Sequence, residues 1–599
     1  MLKTDDRLLL SEALAPPAEY HLDTLVGTTY SLNLAALLSV PLGFTFADWE
    51  DEHGSPTSEP LAALAAVRRL AGRITVFCQA GATAATEQPP LVAAWLEDVV
   101  VSVKAPFGGV FHPKLWVARY ARSGGHPVYR VLCGSRNLTF DRCWDTIAVL
   151  DGQPTARGGL CQETYPLADF VAAMPAIAVG SVSASRLTAI TELAADLRRV
   201  RFSVPDGFTS FRFWPMGIEG HISDPLQSER RRRLLVISPF LGAGRLSEIA
   251  GEHADGVLIS RDDEIARIPS SSFGGFSSFY VLNQPEPVEV TDDDTALTGL
   301  HAKLYVADDG WDAHIWTGSA NATSGAARKN VEFLLQLGGS RSVLGIENLL
   351  RDEPGTLREM LQEVEPREIA DEQNPREGLE RELEEIVHRF AERRIVAEVT
   401  PSDAVEFDVT LRVAEPIEFP DDVNITCWPL PRFEDRDRVA VAAGEMTLAH
   451  FAKQRLTDVS AFFVFCFELS RDRETVTTRI IIRADLVAAP ENRAEAILRE
   501  LLKDPAQVLR LIRALLQHDG GGVASAFVPK SDGGGLTAWG AGGETPLLEA
   551  LLRALEEAPG QLDAVREILR DLADDDDLLP PGLKEICMPV LAIYEESRR

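Results

Sequence analysis

The sequence predicts an α/β fold: a duplicated α-β-α sandwich core, followed by a β-sandwich and a helical C-terminal region. Three observations predict it. A strand carrying H-x-K, a second strand and a G-S-x-N turn occur in that order twice, and the two histidines, His112 and His301, lie 189 residues apart. Residues 395–486 are rich in β-branched and aromatic residues with alternating patterning, and residues 491–517 and 546–599 return to helical spacing. A repeat fixes architecture more firmly than any local pattern, because two copies of one unit pack face to face and bring equivalent loops together.

In chain order, residues 61–70 read as a helix and 73–78 as a buried strand ending at Gly81. The Val-rich run 99–103 and the Gly108-Gly109 turn lead into the first H-x-K strand, 110–117. A further strand, 128–132, ends at Gly134-Ser135-Arg136-Asn137. The second copy runs from the strand 233–240 through the H-x-K strand 299–306 and the strand 313–317 to Gly318-Ser319-Ala320-Asn321. Residues 1–175 are assigned to the first repeat with an N-terminal extension and 176–345 to the second. Residues 346–396 are read as a charged helical connector with a solvated face, 397–488 as the β-rich, sandwich-like domain, and 489–599 as the helical C-terminal region with a Gly-rich loop at 520–543.

The chain has 599 residues, 45% of them hydrophobic and 25% charged. No run approaches the ~20 apolar residues of a membrane span, and the first residues lack a signal-peptide pattern, so a cytoplasmic protein is expected. Seven scattered cysteines contain no C-x-x-C pair, which argues for reduced thiols and no structural zinc. Lys and Arg total 59 against 91 Asp and Glu, a net charge of −32. Such a body repels polyanions at long range, so indiscriminate duplex binding is disfavoured while a local basic groove is not. No G-x-x-x-x-G-K-[ST] motif is present, and an intrinsic nucleotide-driven motor is excluded on that ground.

The repeated motif has a chemical logic. Residues i and i+2 of a strand share a face, so His112 and Lys114 point together, as do His301 and Lys303. Histidine serves as nucleophile or general acid near neutral pH, and a neighbouring lysine offers charge to a phosphate oxygen. The G-S-x-N turns add Ser135, Asn137, Ser319 and Asn321 as candidate phosphate ligands. One H-x-K would be chance; two, each on an apolar strand and each followed by G-S-x-N, make one anion site.

This pattern resembles the phospholipase D superfamily, with its H-x-K-x4-D and G-S-x-N signature, and in particular its nuclease-like bacterial branch. The second copy matches in full at His301, Lys303, Asp308, Gly318, Ser319 and Asn321, with the trailing acid at Glu332. The first keeps His112, Lys114, Ser135 and Asn137, but has Arg119 in place of the Asp and Ala148 in place of the trailing acid. The resemblance spans residues 70–340 and implies phosphoryl transfer through a phosphohistidine, with no metal or other cofactor. It implies that Glu332 orients His112 as nucleophile, that His301 is the general acid and base, and that Asp308 supports the site. Asp145, three residues before Ala148, is the candidate substitute for the missing acid, and Arg119 is read as a surface or groove cation.

The resemblance leaves the substrate open. The leading expectation is a nuclease acting on DNA or RNA in a bacterial nucleic-acid-processing or anti-phage defence system, with a helicase or ATPase partner. The alternatives are a lipid phosphodiesterase or phosphatidyl transferase and a catalytically impaired phosphate-binding scaffold. Oligomeric state is open, since one chain holds both half-sites. Secondary candidates are the basic run 230–233 as a polyanion path, against a solvated cluster, and the phenylalanines of 270–279 as base-stacking residues, against burial. The acidic run 574–577 is considered as a nucleic-acid mimic covering the groove.

Overall fold

A computed structural model describes residues 8–45, 60–85, 91–122, 124–141, 143–227, 233–250, 255–283, 299–367, 375–432, 437–516, 546–557, 559–573 and 577–597. The Gly-rich loop, Arg230 to Arg232 and Asp574 to Asp576 lie outside the described residues.

The repeat seen in the sequence is a repeat of topology. The first sheet runs, edge to edge, through Val200–Phe202, Ile147–Pro154, Val128–Gly134, Leu115–Ala121, His21–Thr29, Ile74–Gln79 and Val100–Val103. The second runs through Ser210–Met216, Glu332–Ser340, Asp312–Gly318, Leu304–Asp309, Arg233–Ile237, Gly256–Ile259 and Phe276–Leu282. Strand for strand the directions agree: the strand that follows each H-x-K, which begins at Leu115 or Leu304 and so excludes the motif residues expected on it, is antiparallel to both neighbours, and the three strands beyond it are mutually parallel. The parallel strands read as continuous apolar runs because both of their faces are covered; every residue of Ile74–Gln79 is buried.

The two sheets pack against each other through one core, in which Leu115, Val131 and Cys133 of the first meet Phe213, Phe333 and Leu335 of the second. The approach is close. Gly318 has φ +147°, and a Cβ there would lie 2.2 Å from the Phe333 carbonyl and 3.2 Å from Cys133 Sγ, so only glycine fits.

The second sheet gains an eighth strand, Leu361–Glu363, from the stretch read as connector. The rest of that stretch also differs from a solvated spacer. On the helix Pro375–Ala391, Leu379, Leu383, Ile386, Val387 and Phe390 form one buried stripe, with the glutamates on the outer face. Phe390 lies 5.3 Å from the rings of both Phe465 and Phe467.

The β-rich region forms two facing sheets. One contains Val423–Pro429, Phe462–Arg471 and Glu474–Arg483, extended by Thr83–Ala84 and Leu32–Asn33 of the first repeat; the other contains Ile395–Pro401, Glu406–Val413, Thr447–Arg455 and Asp485–Val487. Between them Phe451 stacks on Phe463 at 5.7 Å. The C-terminal helices pack on the N-terminal ones. Leu511, Leu515 and Ile568 share a core with Leu37, Leu64 and Val67 and with the outer face of the first sheet at Trp116 and Tyr120. Phe273, Phe276 and Phe279 are buried, so the burial reading of that loop holds and base stacking does not. None of the seven cysteines is in a disulfide, and among the described residues no helix is long and apolar enough to cross a membrane.

Candidate active site

The face-to-face packing brings the two H-x-K segments together through exchanged short strands. Phe111 bridges Val331, with His112 N–H donating to the Val331 carbonyl at 2.9 Å. Correspondingly, Gly299–Leu300 pairs with Cys143–Trp144, and His301 N–H donates to the Trp144 carbonyl at 3.0 Å. Each histidine is therefore delivered to the residue that follows the other repeat's bridge: Glu332 for His112 and Asp145 for His301.

His112 Nδ1 lies 3.1 Å from Glu332 Oε2 and 3.0 Å from the Ser319 carbonyl. Both neighbours are acceptors, so Nδ1 carries the proton and Nε2 holds the lone pair. His301 Nδ1 lies 2.9 Å from Asp145 Oδ1. Asp145 is the structural counterpart of Glu332, since Ser135 Oγ accepts from Thr146 N at 2.9 Å as Ser319 Oγ accepts from Phe333 N at 2.9 Å. Counting forward from the G-S-x-N turn points to Ala148 instead, because the second repeat inserts the short helix Ser324–Arg328 between turn and acid, and the acid follows the turn's serine by 13 residues there but by 10 in the first repeat. Ala148 lies on the strand Ile147–Pro154, paired with Cys133.

Lys114 and Lys303 are buried, each donating to the carbonyl of its own motif histidine, at 2.7 and 2.6 Å. Burial, and the repulsion of Lys303, hold Lys114 well below the usual lysine range; burial pushes Lys303 down to about 8. Burial, with Lys114 beside it, pushes His112 down to about 4 against the opposing pull of Glu332, and burial also lowers His301. Burial would raise Glu332, but His112, Lys114 and Ser319 outweigh it and hold the carboxyl below its ordinary value. The site is thus a pocket of neutral imidazoles and compressed positive charge, which an entering phosphate relieves.

The remaining expected residues divide. Ser135 and Ser319, expected to face phosphate, are fully enclosed and donate instead to Asp145 Oδ1 at 3.1 Å and Glu332 Oε2 at 2.5 Å, so they orient the carboxylates. Asn137 and Asn321 each keep a buried Oδ1 with no partner among the described residues. Asp308 sits away from the histidines and accepts from Ile346 N at 3.2 Å. Arg119, read as a surface or groove cation, is tied to Asp23 and to Asp196 at 2.8 Å, and Tyr129 completes that cluster. Where the second repeat has an acid among Arg233 and Arg341, the first has a base among acids: both are structural charges.

Sequence reasoning missed Tyr30, whose ring lies 5.4 Å from that of His112 and 5.9 Å from Lys114 Nζ. Its counterpart is Pro239, since Thr29 Oγ1 accepts from Leu138 N as Ser238 Oγ accepts from Ala322 N, both at 3.0 Å. No motif marks Tyr30; only the fold places it. Among the described residues no group of three or more His, Cys, Asp or Glu side chains is arranged to hold a metal ion.

No family model and no curated protein matches the sequence. Among solved structures, the chain is similar to a yeast tyrosyl-DNA phosphodiesterase at 14% identity and a TM-score of 0.33, over 57% of this chain and 90% of that one. It is also similar to a polyphosphate kinase from Porphyromonas gingivalis at 13% identity and a TM-score of 0.32, over 63% of this chain and 51% of that one. Likeness at this level carries no weight for function, which rests on the residues. Two H-x-K half-sites facing one another are what the repeat in the sequence predicts; the exchange of short strands between them is not.

Proposed function

We propose that the protein is a phosphodiesterase of phospholipase D type, acting on a nucleic acid without a metal. The observation that carries this reading is the pair of histidines, each with Nδ1 held by a carboxylate of the other repeat, with two buried lysines beside them. In the first step His112 Nε2 attacks phosphorus, an N–P bond forms and the P–O bond to the leaving group breaks. His301, which takes up a proton from solvent at Nε2 once the bound phosphate's charge offsets the repulsion of the lysines, gives that proton to the departing oxygen. Water then attacks phosphorus, His301 takes the water's proton, and the N–P bond breaks. Lys114, Lys303, Asn137 and Asn321 would neutralise the pentacoordinate phosphorus.

Nucleic acid is favoured over lipid by the loops around the site. Phe107, five residues before His112, Phe140, three after Asn137, and Phe240, beside the Leu241–Ala322 bridge next to Asn321, are exposed aromatics spaced among polar residues. Arg136 lies exposed in the first turn, and Arg261 lies over the Phe240 ring at 5.5 Å. Alternating aromatic and cationic side chains suit bases and phosphates of a strand. With a net charge of −32, delivery of the strand by a partner such as a helicase or ATPase, in a processing or defence system, fits long-range repulsion by the body.

The test offers single-stranded DNA, duplex DNA, RNA and phosphatidylcholine vesicles to wild type and to His112→Ala/His301→Ala, with EDTA throughout. Cleavage of a polymer that resists EDTA and disappears in the variant is expected. Turnover of lipid alone, or cleavage retained in the variant, would overturn the reading.

A further inference from the structure

The segment that carries His112 is tied by other means than its counterpart: besides His112 N–H to Val331, Val331 N–H donates to the Val110 carbonyl at 2.9 Å and Val110 N–H to Asn330 Oδ1 at 3.1 Å. His301 follows a two-residue strand, Gly299–Leu300, paired with Cys143–Trp144, whereas Phe111 makes a single bridge to Val331. A buried side chain holds the amide between these ties, that of Phe111. Gln79, at the end of the strand Ile74–Gln79, is 1% exposed, and its Oε1 accepts from Phe111 N–H at 2.6 Å. In strand register the second repeat has Arg261 at the equivalent place, paired instead with Asp263 at 2.8 Å.

What holds Gln79 comes from the far half of the chain. Phe111 N–H can only donate, so Oε1 must face it and Nε2 must face the other way. There Nε2 donates to the Ala80 carbonyl at 3.1 Å and lies 3.3 Å from Nδ1 of His388, on the helix Pro375–Ala391. His388 Nδ1 is therefore the unprotonated acceptor, and its Nε2–H points to Glu392 Oε1 at 3.3 Å. Turning the amide over would set donor against donor at Phe111 and acceptor against acceptor at Ala80. The helix abuts the strand end: at Gly81, φ +83°, a Cβ would lie 2.9 Å from Ala391 Cβ.

We propose that Gln79 is a positioning residue for His112, and that His388 sets it, so that the helix between the core and the β-sandwich belongs to the catalytic apparatus. The chain Glu392–His388–Gln79–Phe111 has one hydrogen-bond polarity from end to end and fixes the backbone immediately before the proposed nucleophile. The kinetic part of this inference rests on the phosphodiesterase reading; the structural part does not.

The experiment uses the full chain as wild type, His388→Leu, His388→Asn and Gln79→Met, each checked for an unchanged melting profile. It measures kcat and KM on bis(p-nitrophenyl) phosphate, and amide exchange of the peptide spanning Phe111. Asparagine places its Oδ1 where Nδ1 stands, so it restores the acceptor that leucine removes. His388→Leu is expected to lower kcat about tenfold with KM within about twofold and to speed exchange at Phe111 about tenfold, the effect of one lost buried hydrogen bond. His388→Asn is expected to recover both to within about threefold of wild type, and Gln79→Met to lower kcat about a hundredfold by releasing the segment. Unchanged Phe111 exchange in both His388→Leu and Gln79→Met, or a folded His388→Asn no better than His388→Leu, would overturn the proposal. Wild type that turns over no phosphodiester would contradict the phosphodiesterase reading, while Phe111 exchange would still decide whether the latch exists.

Discussion

Asp145→Asn separates the charge behind His301 from the shape of the site. Asp145 Oδ1 accepts from His301 Nδ1 at 2.9 Å and from Ser135 Oγ at 3.1 Å, while its Oδ2 is buried without a partner among the described residues. An asparagine keeps an acceptor at the Oδ1 position and sets its amide nitrogen where Oδ2 was, so both hydrogen bonds survive. What is lost is attraction between a carboxylate and the imidazolium formed when His301 takes a proton. With charge centres about 4 Å apart and an effective dielectric near 20, that attraction is about 4 kcal/mol. The two side chains are 14% and 16% exposed, and solvent screening trims the figure to about 3 kcal/mol, or about a hundredfold in rate. Steady-state hydrolysis of bis(p-nitrophenyl) phosphate should therefore show kcat reduced about a hundredfold, KM little changed, and unfolding free energy within about 1 kcal/mol of wild type. Adding Ala148→Glu should not restore activity, because Ala148 lies on a paired strand and packs against the core between the sheets. A wild-type kcat in Asp145→Asn, or rescue by Ala148→Glu, would refute the pairing.

Other outcomes follow from burial and close packing. His112 is held at about 4, below its ordinary 6.5, so the unfolded chain binds its proton first and stability is lost as pH falls from 6.5 through 4. Urea unfolding at pH 7 and 4.5 should show wild type losing about 2 kcal/mol more than His112→Gln, and equal losses would contradict the shift. Gly318→Ala, at φ +147° with a carbonyl 2.2 Å from the new Cβ, should cost about 3 kcal/mol in the same assay. Glu97 is buried and clasped by Arg493 at 2.7 and 2.6 Å, joining the first repeat to the C-terminal helices. Arg493→Met should cost about 3–5 kcal/mol by stranding that carboxylate, and the further change Glu97→Gln should recover part of it.

Much of the core was legible because the chemistry repeats. The H-x-K and G-S-x-N spacing fixed two equivalent units, and their strand order repeats across seven positions of each sheet. Glu332 was legible from its place after the second turn. Asp145 was readable only as a substitute, because it follows its turn's serine by 10 residues where Glu332 follows by 13. Ser135 and Ser319 were misplaced for a different reason: a motif states which side chains gather, but not which way each hydroxyl donates. The helix Pro375–Ala391 looked like a solvated connector because its charged residues outnumber its apolar stripe, and only the facing sheet shows what that stripe buries. Tyr30, Gln79 and His388 come from three distant stretches, and no local pattern links them.

The most direct test of one site built from two repeats is the pre-steady-state reaction of His301→Asn with excess bis(p-nitrophenyl) phosphate. The p-nitrophenolate leaving group needs little proton donation, so attack by His112 proceeds while hydrolysis of the covalent intermediate, which needs His301 as base, is stalled. One equivalent of p-nitrophenolate per chain is expected in a burst, and an alkaline quench followed by peptide mass spectrometry should find the nitrophenyl phosphate on His112 and none after His112→Ala. A burst that persists without His112, or steady turnover with no adduct on either histidine, would contradict the shared site.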